Sequence, residues 1–256
     1  LNPEFRKEII PENKQSVMQL IIRDDPDKLF TEAAELFARA ALEHEGSSFR
    51  VALSGGTTPK GLYSKISSEP FLSLMPWTKL DLWWVDERCI SFDSPHSNFG
   101  NARKELLSHV PLSQAQFHPM PGNIEPLQGA AEYQDELIRA FGLRNAQVPV
   151  FDLIFLGVGA DGHIASLFPG HKALYENKKL VVAIKVGESD LNRLSLTLPV
   201  LNQARQVVVL VSGGNKAGII REIFESKNAE IPARMIRPVQ GRLTWLVDRE
   251  AAALLP

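Results

Sequence analysis

An α/β fold with a mostly parallel, Rossmann-like sheet is predicted by three observations. Apolar runs of strand length alternate with helical patterns, as parallel strands joined by crossover helices require. Three β-branched runs end in glycine turns: VALSGGTTPK from Val51, FDLIFLGVGADGH from Phe151 and VVVLVSGGNK from Val207. No tandem repeat or low-complexity stretch interrupts the series. In an open sheet of this class such turns gather at the carboxyl ends of the strands, where ligands bind.

The first strand is predicted near 17–22, before a helix over 27–45 that opens at Asp25 with Pro26 just inside, the chemistry a helix start prefers. A strand at 50–53 runs through its glycine turn into a helix over 59–68. The apolar run at 80–85 is the next strand, and a helix over 98–108 follows. The proline-rich stretch PLSQAQFHPMPGNIEP, 111–126, is the one plausible linker. No composition shift follows it, so it is read as a long surface connection within a single domain spanning 1–256. A helix over 127–142 comes next, then strands near 151–156, 180–185, 194–198 and 206–211. A helix at 216–226, a strand at 243–247 and a short helix at 249–254 complete the series.

The 256 residues are enough to bury a core of native size. Twenty-eight basic against thirty acidic residues leave a formal charge of −2, so no broad positive field exists for nucleic acid or an anionic membrane. Any phosphate recognition must be local. The first twenty residues hold no signal-like apolar core, no later stretch reaches the ~18 apolar residues of a membrane span, and Cys89 is alone. A cytoplasmic protein is expected.

At the first turn Ser54, Gly55, Gly56, Thr57 and Thr58 precede Pro59, which makes Thr58 the expected N-cap. Glycines and a helix start together offer free N–H donors to an anion, although a tight capped turn has the same signature. The second turn, GVGADG, formally satisfies the dinucleotide fingerprint, but Pro169 and Gly170 leave no room for the long helix that fingerprint needs. It delivers Asp161 and His163 instead, and a histidine with a pKa near ~6.5 can take and return a proton at neutral pH. A solvated loop histidine is the plainer alternative. His44, His96, His109, His118 and His171 have less suggestive surroundings. The third turn ends in Lys216, and Arg88 and Arg193 stand at two further strand ends. Any one of them is an ordinary surface charge; their joint occurrence with the glycine turns points to an anion. Asp86 and Glu87 are expected to hold their loop, and Cys89 to be incidental. Serine-elbow and zinc-helix motifs are absent from the sequence.

SGGTTP at 54–59, DERCISFDSPHSN at 86–98, GVGADGHIASLFPG at 157–170, RLSLTLPVLNQAR at 193–205, SGGNKA at 212–217 and IPARMIRPVQGRLTWLVDREAA at 231–252 closely resemble the 6-phosphogluconolactonase family. Ile90 and Ser91 depart from the commoner Val and Pro, and Gly213, Gly214 and Asn215 form a more flexible lead to the lysine. The resemblance implies an open three-layer αβα sandwich related to sugar-phosphate isomerases. It implies hydrolysis of 6-phospho-D-glucono-1,5-lactone to 6-phosphogluconate in the oxidative pentose phosphate pathway, with no metal or organic cofactor and no obligatory protein partner. Carried over by motif, His163 is the general base and Asp161 organises it. Gly55, Gly56, Thr57 and Thr58 hold the phosphate with Arg193 and Lys216, and Arg88 faces the substrate across the cleft. Two rivals share part of the pattern. Glucosamine-6-phosphate deaminases resemble one another in an aromatic after DE and in an asparagine and a glutamate after the histidine block, where this chain has Arg88 and Leu167, Phe168. A non-catalytic sugar-phosphate sensor would use the same turns without turnover.

Overall fold

β-branched runs bounded by glycine and proline become strands because their side chains pack on a pleated surface, and here they do so throughout. The computed structural model describes residues 6–9, 17–56, 58–185, 191–226 and 230–256. Its strands are β1 (Arg6–Ile9), β2 (Val17–Arg23), β3 (Phe49–Leu53), β4 (Leu80–Trp84), β5 (Asp86–Arg88), β6 (Phe117–His118), β7 (Leu153–Gly157), β8 (Val181–Ile184), β9 (Arg193–Leu196), β10 (Gln206–Val211) and β11 (Arg242–Asp248). The α-helices are α1 (Pro26–Glu43), α2 (Thr58–Ile66), α3 (Phe71–Leu74), α4 (Asn98–Glu105), α5 (Pro126–Phe141), α6 (Leu198–Asn202) and α7 (Ala217–Glu225).

The main sheet runs β1-β2-β11-β10-β7-β3-β4-β6. All neighbours are parallel except β1 with β2. From β3 the chain moves outward through β4 to β6; from β7 it moves the opposite way through β10 to β11. Because β3 and β7 are neighbours, the crossovers diverge between them and leave a crevice at their carboxyl ends. The three glycine turns follow β3, β7 and β10, so all three open on that edge.

Right-handed crossovers in opposite directions place helices on opposite faces. On β4, Trp83 meets Tyr133 and Phe141 of α5, while Trp84 meets Phe99 of α4 across the sheet. Successive residues of one strand thereby anchor both helical layers. Asp25 caps α1 by accepting the Lys28 N–H at 2.8 Å. Leu29, Ala33, Phe37 and Ala41 bury its apolar stripe, with Phe37 against Phe49 and Phe155.

Four expectations need correction. Runs 180–185 and 194–198 are strands, but β8 and β9 join β5 in a separate antiparallel sheet, β5-β9-β8. The chain leaves the main sheet after β4, and the Val85 carbonyl accepts the Leu196 N–H at 2.8 Å. Second, 249–254 forms turns, not a helix. The N–H of Ala251 goes to the Asp248 carboxylate, and Ala253 and Leu255 bond three residues back, which yields single turns. Third, the proline-rich stretch is more than a surface connection, since it carries edge strand β6 and the fully buried Met120. Fourth, α2 opens on Thr58 itself, so Thr58 is not its N-cap.

His118, on β6, sits between two carboxylates. Its Nδ1 is 2.5 Å from Glu136 on α5, its Nε2 is 2.7 Å from Asp81 on β4, and its ring stacks on Trp83 at 3.9 Å. Burial disfavours the charged ring, but the bonds and charges of Asp81 and Glu136 outweigh it and push the pKa up to about 9. The imidazolium therefore fastens edge strand to sheet and helix. Its contribution is full below the unfolded value near ~6.5 and is lost as pH rises through about 9. Urea midpoints taken from pH 6 to 10 are expected to fall over that window, and the fall is expected to flatten in His118→Gln. No helix among the described residues is long and apolar enough to cross a membrane.

Candidate active site

The turn after β3 is tied down from below. Ser54 donates its hydroxyl to the Phe155 carbonyl at 3.0 Å, and Tyr63 of α2 donates to the Ser54 carbonyl at 2.9 Å. Gly55 abuts the amide of Asn98: a Cβ there would stand 1.8 Å from its Oδ1. Only a residue without a side chain fits. Thr57 lies outside the described residues.

The loop after β7 closes on itself through Gly159 N–H to the His163 carbonyl, 2.9 Å, and Gly162 N–H to the Gly159 carbonyl, 3.0 Å. This brings Asp161 back onto His163, with Oδ1 at 2.6 Å from the ring Nδ1 and 3.1 Å from the backbone nitrogen. Burial raises the Asp161 pKa, but the His163 backbone N–H and the charge and hydrogen bond of its ring hold the carboxyl below its ordinary value. An ionised carboxylate only accepts, so Nδ1 carries the hydrogen of that bond, which leaves Nε2 as the ring position that can exchange a proton. The pair lies over Gly159, where a Cβ would come within 2.1 Å of Nδ1 and 2.7 Å of the Asp161 oxygen. Gly159→Ala is expected to displace the ring and lower kcat on the order of tenfold while the fold survives, checked by steady-state kinetics beside a melting curve.

The cations arrive from two other directions. Arg88 on β5 and Arg193 on β9 are Cα partners in the small antiparallel sheet. Arg88 donates Nη1 to the His96 carbonyl at 2.6 Å, while the Nε of each arginine is buried without a partner. Burial lowers the pKa of Arg193, and the charge of Arg88 adds to the effect. Lys216 ends the turn after β10. Asp248, fully buried at the end of β11, accepts from the Ser212 hydroxyl at 2.5 Å and the Gly213 N–H at 2.9 Å and so seats that turn. No carboxylate among the described residues pairs with Arg88, Arg193 or Lys216. Three cations without a salt-bridge partner among the described residues line one hollow against the single carboxylate of Asp86, a balance that favours an anion there.

Gly55, Gly56, Thr58, Arg88, His163, Arg193 and Lys216 line one cleft of about 270 Å³. Asp161 stands behind the ring it orients. Asp86 and Asn98 also line the cleft. The Asn98 amide donates to the Asp86 carbonyl and carboxylate at 2.9 and 3.1 Å, and Ser166 donates to the other Asp86 oxygen at 2.7 Å. Glu87 accepts from the Arg88, Asn98 and Phe99 N–H groups and the Ser97 hydroxyl. Burial nevertheless raises its pKa. Both carboxylates hold the loop, as the sequence suggests. No motif marks Asn98 as a cleft residue, because its place depends on contact with the distant Gly55. Cys89 is half-buried, and burial with the charges of Glu87 and Glu125 pushes its pKa up to about 11, so it stays a thiol. No group of three or more His, Cys, Asp or Glu among the described residues is arranged to hold a metal ion.

The family described as glucosamine-6-phosphate isomerases/6-phosphogluconolactonase matches residues 24–245. A 6-phosphogluconolactonase of Synechocystis sp. is 43% identical over 205 residues, covering 78% of this chain and 82% of that protein. One from Rattus norvegicus is 37% identical over 240 residues, covering 90% and 91%. A solved 6-phosphogluconolactonase from Trypanosoma brucei superposes with a TM-score of 0.82 at 28% identity, over 93% of this chain and 98% of that one.

Proposed function

Because this chain belongs to the glucosamine-6-phosphate isomerase/6-phosphogluconolactonase family, we propose that it hydrolyses 6-phospho-D-glucono-1,5-lactone to 6-phosphogluconate. The observation that carries the reading is one cleft in which a carboxylate-oriented imidazole meets three cations that have no carboxylate pair among the described residues.

In the proposed reaction the phosphate is held by the Gly55, Gly56, Thr57 and Thr58 turn at the start of α2, with Arg193 and Lys216. Binding that remote dianion fixes the lactone carbonyl near His163. The Nε2 of His163 removes a proton from water as the water oxygen bonds to C1, and the carbonyl electrons move onto oxygen, where Arg88 offsets the charge. As the carbonyl re-forms, the C1 to ring-oxygen bond breaks and the imidazolium returns its proton to the departing oxygen. The new carboxylic acid then loses its proton to solvent. Asp161 keeps the hydrogen on Nδ1 throughout. The chemistry needs no metal or organic cofactor. The reading assigns the work to one domain in the cytosol, within the oxidative pentose phosphate pathway, with no obligatory protein, nucleic-acid or membrane partner.

A coupled assay on freshly generated lactone, with spontaneous opening subtracted, tests this directly. Accelerated formation of 6-phosphogluconate is the expected result. Ammonia release from glucosamine 6-phosphate without lactone hydrolysis would move the chain to the deaminase branch of the family, and binding of 6-phosphogluconate with no turnover of either would make it a sensor.

A further inference from the structure

We infer that Phe168 is a positioning residue whose one ring steadies both the imidazole of His163 and the guanidinium of Arg193; the inference rests on the lactonase reading above. The ring centroids of His163 and Phe168 are 4.5 Å apart, with the planes tilted by 42°. The guanidinium carbon of Arg193 is 5.6 Å from the centroid of the same Phe168 ring. The histidine comes from the loop after β7 and the arginine from β9 of the smaller sheet. Phe168 bridges them from a tight turn, in which the Leu167 N–H reaches the Ile164 carbonyl at 2.8 Å and the His171 N–H reaches the Phe168 carbonyl at 3.1 Å.

Both partners need such a support. Arg193 is half-buried beside Arg88, its Cα partner across the two strands, and has no carboxylate pair among the described residues. The repulsion of Arg88 opposes the attraction of Asp86 and Glu87, so these charges alone do not pin its head. A carboxylate would hold it but would also compete with an incoming phosphate. The negative face of an aromatic ring attracts the guanidinium without neutralising it. For His163, the Asp161 contact fixes one ring nitrogen and leaves a swing about that bond, which packing against the ring face limits.

The test compares Phe168→Leu with Phe168→Tyr, which keeps an aromatic face. Calorimetry with inorganic phosphate reads the Arg193 arm, and steady-state kinetics on the lactone read the His163 arm. Phe168→Leu is expected to weaken phosphate binding about fivefold and to lower kcat by about the same factor. Phe168→Tyr is expected to keep both near wild type. Should Phe168→Leu not fold, Phe168→Met fills similar volume without the ring face, and the same losses are expected of it. Unchanged phosphate affinity and kcat in a folded non-aromatic variant would overturn the proposal, as would a folded Phe168→Tyr as impaired as Phe168→Leu. The phosphate arm needs no turnover. A wild type inert toward the lactone therefore sinks the lactonase reading, whereas an unmoved phosphate affinity in an otherwise active enzyme sinks this one.

Discussion

Replacing His163 with glutamine is expected to lower turnover of the lactone by roughly 10²–10⁴-fold, the range a positioned general base contributes. Glutamine preserves a polar side chain of similar reach but cannot take a proton from water and hand it on. The proposed phosphate contacts come from other segments: the turn after β3, the small sheet and the turn after β10. Affinity for 6-phosphogluconate should therefore change little. The measurement is the enzymatic rate above spontaneous lactone opening, with product affinity followed by calorimetry. Near wild-type turnover in a folded variant would remove His163 from the mechanism and leave the Asp161 contact a local loop bond.

Neutralising the cations should act on the other parameter. Arg193→Gln and Lys216→Met are each expected to raise KM and the dissociation constant of 6-phosphogluconate by roughly 10²–10³-fold, as losing one partner of a close charge pair costs about 3–4 kcal/mol. The effect on kcat should be smaller, because neither cation exchanges a proton with the substrate. For Arg193 there is an opposing gain. Removing it also relieves the repulsion with Arg88, so the folded variant is expected to melt no lower than wild type. Kinetics at constant ionic strength separate this specific loss from general screening. An unchanged Michaelis constant would dismiss either residue from anion binding.

The eight strands predicted by apolar runs are all present, and the first five predicted helices lie close to their expected limits. Those features are local: β-branched runs, proline just inside α1 and glycine turns that end strands. Pairing is not local. The runs holding β8 and β9 look like members of the parallel series because a strand's neighbour and direction depend on residues far along the chain, here Asp86–Arg88. The segment after Asp248 has helical composition, yet the Ala251 N–H is captured by a carboxylate already engaged with Ser212 and Gly213. The polar ends of the cleft were similarly legible. Gly55, Gly56, Thr58, Arg88, His163, Arg193 and Lys216 meet around it, as their motifs suggest. What no motif betrays is Asn98 against Gly55, Gly159 under the imidazole, Phe168 between two functional groups and Asp248 beneath the lysine turn. Each of these matters through a close approach, which a one-dimensional reading cannot measure.

β11 lies between β2 and β10, parallel to both, and its last residue seats the turn that carries Lys216. Among the described strands, β2 has no sheet neighbour besides β1 until that strand arrives. During synthesis residues 242–248 must therefore leave the ribosome before β2 gains its second neighbour and the turn bearing Lys216 is seated. A nascent chain halted before residue 242 would carry the histidine loop without the strand end that seats the Lys216 turn.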